Sequence, residues 1–105
     1  MDTAPIVLVT GGSRGIGAAT ALQCARAGYD VAVNYARDAA AAEAVAGAAR
    51  ALGRRAIAIG ADVAQEADVL AMFAAVDGQL GPLSALVNNA GVVDVAARVD
   101  ELSLQ

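Results

Sequence analysis

Lysine and histidine are both absent from this chain of 105 residues, and aromatic residues make up only 3% of it. Because both missing residue types are common proton-transfer groups, the sequence does not contain a complete catalytic site of the kind that uses them. Its single cysteine, Cys24, excludes a disulfide or a cysteine-based zinc site within one chain. Cys24 lies among Ala and Leu in a predicted helix, which favours a buried small apolar side chain over a nucleophile. No metal site is predicted.

Basic residues are also scarce: seven Arg stand against eleven Asp and Glu, for a net charge of −4. The only adjacent pair is Arg54 and Arg55, so we expect no nucleic-acid partner. The chain lacks the run of about 18 apolar residues that a membrane span requires. Its N-terminus lacks the basic region and long apolar stretch of a signal peptide. We therefore expect a soluble, cytoplasmic protein with no membrane partner.

Short apolar runs without alternation recur along the chain, a pattern typical of strands buried on both faces of a parallel sheet. They predict strands over 6–9, 31–33, 56–59 and 83–87, which alternate with helices predicted over about 15–27, 39–52 and 65–80. Such alternation implies right-handed crossovers between parallel strands. We therefore predict an α/β fold, a partial Rossmann-like doubly wound parallel sheet with strand order 3-2-1-4, which binds ligands at the carboxyl ends of its strands.

A glycine-rich segment, Thr10-Gly11-Gly12-Ser13-Arg14-Gly15-Ile16-Gly17, joins the first predicted strand to the first predicted helix. Gly11, Gly15 and Gly17 allow a tight turn, close approach of a pyrophosphate, and packing of the helix against its strand. The helix N-terminus would direct its unpaired N–H groups and positive dipole end towards that anion. Glycines after a strand also serve packing alone, but a strand before and a helix after favour a phosphate site.

A second polar segment, Asn88-Asn89-Ala90-Gly91, follows the fourth predicted strand. Strands 1 and 4 are neighbours across the point where the strand order reverses, so both segments should border one crevice. The Thr10 hydroxyl is placed to bond across this crevice towards Asn88 or Asn89. Bracing of the strand ends without a ligand role is the alternative for this pair, chiefly for Asn89.

Together these motifs resemble those of the short-chain dehydrogenase/reductase family over the whole chain. The family's cofactor motif matches 10–17, its Asn-Asn-Ala-Gly signature matches 88–91, and the pair at 62–63 looks like its adenine-ring contact. The resemblance implies an oxidoreductase that binds a nicotinamide dinucleotide, transfers a hydride to or from a small carbonyl or alcohol substrate, and forms a homo-oligomer. Residues 1–91 would form the dinucleotide-binding half, and 92–105 would begin a connection to a C-terminal half.

The resemblance also assigns the cofactor contacts. Asn88 would contact the ribose on the nicotinamide side, while Asn89, Ala90 and Gly91 would brace the sheet and line the pocket. The residues predicted to bind the cofactor are Gly11, Ser13, Arg14, Gly15, Ile16, Gly17, Tyr35, Arg37, Asp62, Val63, Asn88, Ala90 and Gly91.

The end of the second predicted strand bears on the choice between NADP and NAD. An acidic residue there would accept bonds from both ribose hydroxyls and disfavour a 2′-phosphate, but the chain continues Asn34-Tyr35-Ala36-Arg37. Arg14 and Arg37 can both reach the adenosine ribose, and guanidinium groups suit phosphate. These residues favour NADP, with NAD and a merely solvated Arg37 as the alternatives. Asp38 is interpreted as a helix N-cap rather than a ribose ligand.

The family's reaction centre, a Ser and a Tyr followed four positions later by Lys, cannot be assigned in this sequence. Tyr29 and Tyr35 belong to the first half, Ser103 lies too near the fourth strand, and there is no Lys. We therefore predict no catalytic residue, and we expect the N-terminal half of a longer oxidoreductase that is inactive alone. A free-standing nucleotide-binding or interaction module is the alternative, although an uncharged fourth strand at a sheet edge favours the first interpretation.

Overall fold

The computed structural model describes residues 4–89, in which strands and helices alternate. In chain order the elements are β1 (Ile6–Thr10), α1 (Gly15–Arg26), β2 (Asp30–Tyr35), α2 (Ala39–Ala51), β3 (Ala56–Gly60), α3 (Glu66–Gln79) and β4 (Ala85–Asn88). Two of the predicted cofactor residues, Ala90 and Gly91, lie outside the described residues, as does the predicted connection over 92–105.

The four strands are parallel and lie in the order β3-β2-β1-β4. β1 is central, so that Val9 pairs with Val33 of β2 on one side and with Val87 of β4 on the other. The chain order reverses between β1 and β4, and the segments that follow these two strands therefore meet at one edge of the sheet. The predicted α/β class and strand order are confirmed.

Helices cover the two faces of the sheet unequally. Val7 and Val9 belong to a buried cluster with alanines of α1 and α2, whereas Ile6 and Leu8 belong to a second cluster with Met72 and other residues of α3. Successive residues of β1 thus enter opposite faces, which is why the strand is apolar throughout. Within residues 4–89, none of the helices combines the length and the apolar character needed to cross a membrane.

Two predicted helix boundaries are set by local chemistry. Gly28 follows α1 with a φ of 101°, a left-handed conformation that ends a helix without steric cost. The side chain of Asp38 accepts a hydrogen bond from the Ala41 N–H at 3.0 Å and so satisfies one donor of the first turn of α2. The interpretation of Asp38 as an N-cap is confirmed.

β2 is longer than its apolar core predicted, and this lengthening shapes the site. Asn34 and Tyr35 remain in the strand because they pair with Ile59 and Gly60 of β3. A Cβ atom at Gly60 would lie 3.0 Å from the ring and hydroxyl of Tyr35, so the aromatic ring occupies the space beside the glycine. A rule based on apolar runs could not predict this strand pairing or this ring contact. As a result, the polar residue Asn34 lies inside the sheet.

Candidate functional site

The turn between β1 and α1 presents main-chain N–H groups at the carboxyl edge of the sheet. Gly11 and Gly15 adopt φ values of 62° and 59°, which glycine tolerates without strain. Arg14, at the N-cap of α1, is extended and makes no side-chain cap, and the first turn contains no acidic residue. The N–H groups of that turn therefore have no capping side chain as a hydrogen-bond acceptor, and they lie at the positive end of the helix dipole. This arrangement suits an anion.

Gly17 lies where this turn, α1 and the end of β4 come together. A Cβ atom at Gly17 would lie 2.2 Å from the Gly11 carbonyl oxygen and 2.6 Å from Nδ2 of Asn89. Both distances are far inside van der Waals contact, so the close approach of α1 to the turn requires glycine. A Cβ atom at Gly15 would instead meet no atom within 4 Å, so the turn is open on that side.

Hydrogen bonds join the turn to the end of β4. The Thr10 hydroxyl donates to Oδ1 of Asn88 at 3.1 Å and accepts from the Asn89 N–H at 2.9 Å. The Asn89 side chain also donates to the Gly11 carbonyl oxygen at 3.4 Å. The predicted bond from Thr10 across the crevice is confirmed, and both asparagines brace the strand ends. The ribose contact of Asn88 stays a prediction.

Asn34 is a residue of this site whose contacts the sequence analysis missed. Its side chain is almost completely buried, with 2% exposure for the residue. Its Oδ1 accepts a hydrogen bond from the Gly11 N–H at 3.1 Å, and its main-chain oxygen accepts from the Gly12 N–H at 2.9 Å. From the sequence, Asn34 was noted only as part of the segment 34–37, which lacks an acidic residue at the end of the strand. A buried Asn at the end of an apolar strand was the signal that could have identified it.

The charged side chains of the site lie at its outer rim. Arg14 is exposed and forms an ion pair with Asp38 at 3.3 Å, so Asp38 both caps α2 and contacts the glycine-rich turn. Arg37 is also exposed, and its guanidinium makes no ion pair within residues 4–89. An exposed ion pair contributes little, about 0–1 kcal/mol, so both guanidinium groups remain available to an anionic ligand.

The remaining residues predicted to bind the cofactor differ in how far their side chains are exposed. Ser13 is half-buried in the turn, and the side chain of Ile16 is 77% exposed at the start of α1. Asp62 is exposed and accepts a hydrogen bond from the Ala64 N–H at 2.9 Å. Val63 packs into the core beside α3 with 9% exposure, so little of its side chain is open to a ligand. The adenine contact at these two positions stays a prediction.

Cys24 lies on α1 away from the glycine-rich turn and is half-buried. Burial raises the pKa of its thiol, since the charged thiolate would lose hydration. The neutral thiol is therefore favoured at neutral pH, in agreement with the predicted apolar role.

Comparison with known proteins agrees with this geometry. A family model described as short chain dehydrogenase matches residues 5–105. The chain is 48% identical over 100 residues to the uncharacterized oxidoreductase YgfF of Escherichia coli, an alignment that covers 95% of this chain and 40% of that protein. It is 53% identical over 85 residues to the 3-oxoacyl-(acyl-carrier-protein) reductase FabG of Staphylococcus aureus, covering 81% of this chain and 35% of the reductase.

Solved structures give the same result. A short chain dehydrogenase from Burkholderia cenocepacia, in complex with NADP, matches with a TM-score of 0.81 and 50% identity over 86% of this chain and 37% of that one. The chain thus spans between 35% and 40% of the length of these relatives. The predicted Rossmann-like fold is confirmed by this likeness.

Proposed function

This chain belongs to the short-chain dehydrogenase family, and we propose that the whole protein is an NADP(H)-dependent oxidoreductase acting on a small carbonyl or alcohol substrate. When bound, the nicotinamide supplies or accepts the hydride. The role proposed for the described residues is to bind and orient the dinucleotide at the carboxyl edge of β1 and β4. The activity of the whole protein is a proposal because the chain spans 35% to 40% of its relatives' length.

One observation supports this proposal above the others: two polar segments converge on one edge of the sheet. The turn after β1 offers an uncapped helix N-terminus, and hydrogen bonds that Thr10 makes with Asn88 and Asn89 hold the end of β4 beside it. A dinucleotide needs such a pair of segments. Its pyrophosphate requires N–H donors, and its nicotinamide half must extend from the end of β1 to the end of β4, across the point where the strand order reverses. The uncapped helix and the open space at Gly15 both fit a phosphate group.

The exposed arginines support NADP over NAD. Arg14 and Arg37 lie after β1 and β2, at the rim of the same sheet edge. A 2′-phosphate is a dianion that guanidinium groups bind well, whereas a ribose hydroxyl pair is read best by a carboxylate. Asp38, which contacts Arg14 at this rim, uses its Oδ1 to cap the first turn of α2. The related Burkholderia protein was solved with NADP.

We place the proton-transfer groups of the reaction outside these 105 residues. The sequence has no Lys. Of its two tyrosines, Tyr29 immediately precedes β2 and Tyr35 is the last residue of that strand. The described residues would therefore contribute binding and orientation of the cofactor rather than general acid–base catalysis.

Calorimetric titration of the chain with NADPH and, separately, with NADH tests the cofactor site. We expect both to bind through the shared pyrophosphate and NADPH to bind more tightly. Failure of both to bind would contradict the proposed cofactor site. Tighter binding of NADH would leave the site in place and contradict only the preference for NADP.

A further inference from the structure

We infer that Asn34 is a positioning residue that holds the glycine-rich turn in its ligand-binding form, and that its surroundings exclude a ribose-reading carboxylate from position 34. The inference rests on the proposed function, since the turn is taken as the pyrophosphate site. Discrimination between NADP and NAD is then left to exposed side chains such as Arg14 and those that follow β2.

The acceptor side of the Asn34 side chain faces the turn. Its Oδ1 accepts the Gly11 N–H at 3.1 Å, and the main-chain oxygen of the same residue accepts the Gly12 N–H at 2.9 Å. One residue of β2 thus holds the first two residues of the turn. Both of these N–H groups donate to Asn34. The N–H groups at the start of α1 are therefore the donors that remain for an anion.

The donor side of the same side chain faces β3. Its Nδ2 lies 3.3 Å from the main-chain oxygens of Tyr35 and Ile59 and 3.2 Å from that of Ala61. Two N–H donors among three carbonyl oxygens, with an N–H group at the opposite end, fix which end of the amide is nitrogen. Asn34 therefore links the glycine-rich turn to the segment that leads into Asp62 and Val63.

This environment is hostile to a carboxylate of the same shape. An ionised Asp accepts hydrogen bonds only, so one of its oxygens would face three carbonyl oxygens with no donor between them. Asn34 is 2% exposed, so water cannot solvate the charge. A carboxylate at this position would lose its hydration and would also be repelled by the partial negative charges of the carbonyl oxygens. The buried surroundings of position 34 therefore exclude an acidic residue there.

The exposed residues beyond β2 are where a cofactor phosphate or ribose can be read. Ala36 and Arg37 are both exposed, and Asp38 contacts Arg14 at the rim of the turn. A carboxylate at position 36 would be solvated and would leave every hydrogen bond of Asn34 in place. Position 36 therefore offers a matched control that adds the same charge two residues away.

The test compares Asn34→Asp, Asn34→Ala and Ala36→Asp by titration with NADPH and NADH, after circular dichroism has established that each variant is folded. Both changes at position 34 should weaken NADPH and NADH together, by about tenfold or more, because buried groups lose their partners and the shared pyrophosphate turn is displaced. Asn34→Asp should bring no gain in NADH binding. Ala36→Asp should weaken NADPH selectively.

Two results would overturn the inference while the unmodified chain still binds NADPH. One is tighter NADH binding in Asn34→Asp, which would make position 34 a ribose-reading position. The other is unchanged affinity for both cofactors in the folded variants, which would mean that the amide does not position the turn. Failure of the unmodified chain to bind either cofactor would instead contradict the proposed function.

A measurement on the unmodified chain decides the matter where a variant does not fold. The side-chain amide protons of Asn34, followed by nuclear magnetic resonance, should exchange with solvent far more slowly than those of an exposed amide such as Gln65. Addition of NADPH should shift the Gly11 N–H signal. Equal exchange rates for the two side chains would show that the buried amide contacts are not formed, and would overturn the inference.

Discussion

At the scale of single residues, Arg14 and Arg37 carry the prediction about cofactor choice. Replacing either with Ala should lower NADPH affinity about tenfold and leave NADH affinity nearly unchanged, because a charge-assisted bond to the 2′-phosphate is lost while the pyrophosphate contacts remain. Arg26→Ala is the matched control, since Arg26 is exposed in the last turn of α1 and bonds only to Gln23 within the described residues. Calorimetric titration of the three variants with both cofactors makes the comparison.

An equal loss of NADPH and NADH affinity in the Arg14 variant would assign Arg14 to the pyrophosphate instead. An unchanged ratio of NADPH to NADH affinity in the Arg37 variant would show that the Arg37 side chain is merely solvated.

Gly17 carries a prediction about stability. Gly17→Ala should lower the free energy of unfolding by roughly 1–3 kcal/mol or more, since its Cβ must displace the Gly11 carbonyl or the Asn89 side chain. Gly47→Ala is the matched control: Gly47 lies inside α2, and a Cβ there meets no atom within 4 Å. That change should raise the free energy of unfolding by up to about 1 kcal/mol through helix propensity. Urea denaturation of both variants measures the difference, and equal effects would contradict the close approach at Gly17.

What the sequence predicts at this scale depends on whether a residue's partners are near it in the chain. The glycine motif and the cap at Asp38 were predictable because turn conformation and helix capping act within a few residues. Asn34 was not, because two of the three oxygens that its amide contacts lie in and after β3, 25 and 27 residues away. Only the pairing of β2 with β3 places those atoms beside it.

At the scale of elements, Asp38 links the start of α2 to the glycine-rich turn, and two substitutions separate these roles. Asp38→Ala should destabilise the chain by about 1 kcal/mol through loss of the N-cap. Asp38→Asn keeps an oxygen for the Ala41 N–H and removes only the exposed ion pair with Arg14, so its effect on stability should be small. Urea denaturation compares the two variants. If Asp38→Asn destabilised as much as Asp38→Ala, the ion pair rather than the cap would be the stabilising contact.

The elements themselves were predicted more completely than their ends. Apolar runs identify β1 and β3 because buried parallel strands carry no polar face. The same rule predicted that β4 begins at Leu83, whereas the strand begins at Ala85. Pro82 and Leu83 lie in the connection between α3 and β4. The end of a strand depends on which residues of the neighbouring strand can pair with it. The sequence of the strand itself does not contain that information.

At the scale of the whole molecule, the chain of 105 residues should bind a nicotinamide dinucleotide without reducing carbonyl compounds. It has no Lys, and general acid–base catalysis typically contributes about 10²–10⁴-fold to such a rate. The measurement is the absorbance of reduced nicotinamide over time with NADPH and a panel of ketones, with buffer alone as the control. Steady, protein-dependent oxidation of NADPH by the homogeneous chain would contradict this expectation.

The unequal cover of the sheet gives the last prediction, which concerns association. Among residues 4–89, α3 is the only helix on its face of the sheet, where Ile57, Ile59 and Leu86 are only partly buried. Within residues 4–89, β4 is an edge strand whose sheet neighbour is β1, and the adjoining Leu83 is 36% exposed. An apolar edge without charge favours pairing with another chain. We therefore expect concentration-dependent dimers or larger species at micromolar concentration.

Sedimentation of the unmodified chain and of two leucine variants tests this association. Leu83→Lys should weaken it, because a charge at the edge opposes pairing and must be desolvated. Leu52→Lys is the matched control: Leu52 is 46% exposed at the end of α2, beside β3 at the opposite side of the sheet, so the same charge there should leave association unchanged. A monomer at every concentration, with an unfolding transition independent of concentration, would show that residues 83–87 are not an association surface. Equal effects of the two variants would show that net charge, rather than the β4 edge, controls self-association.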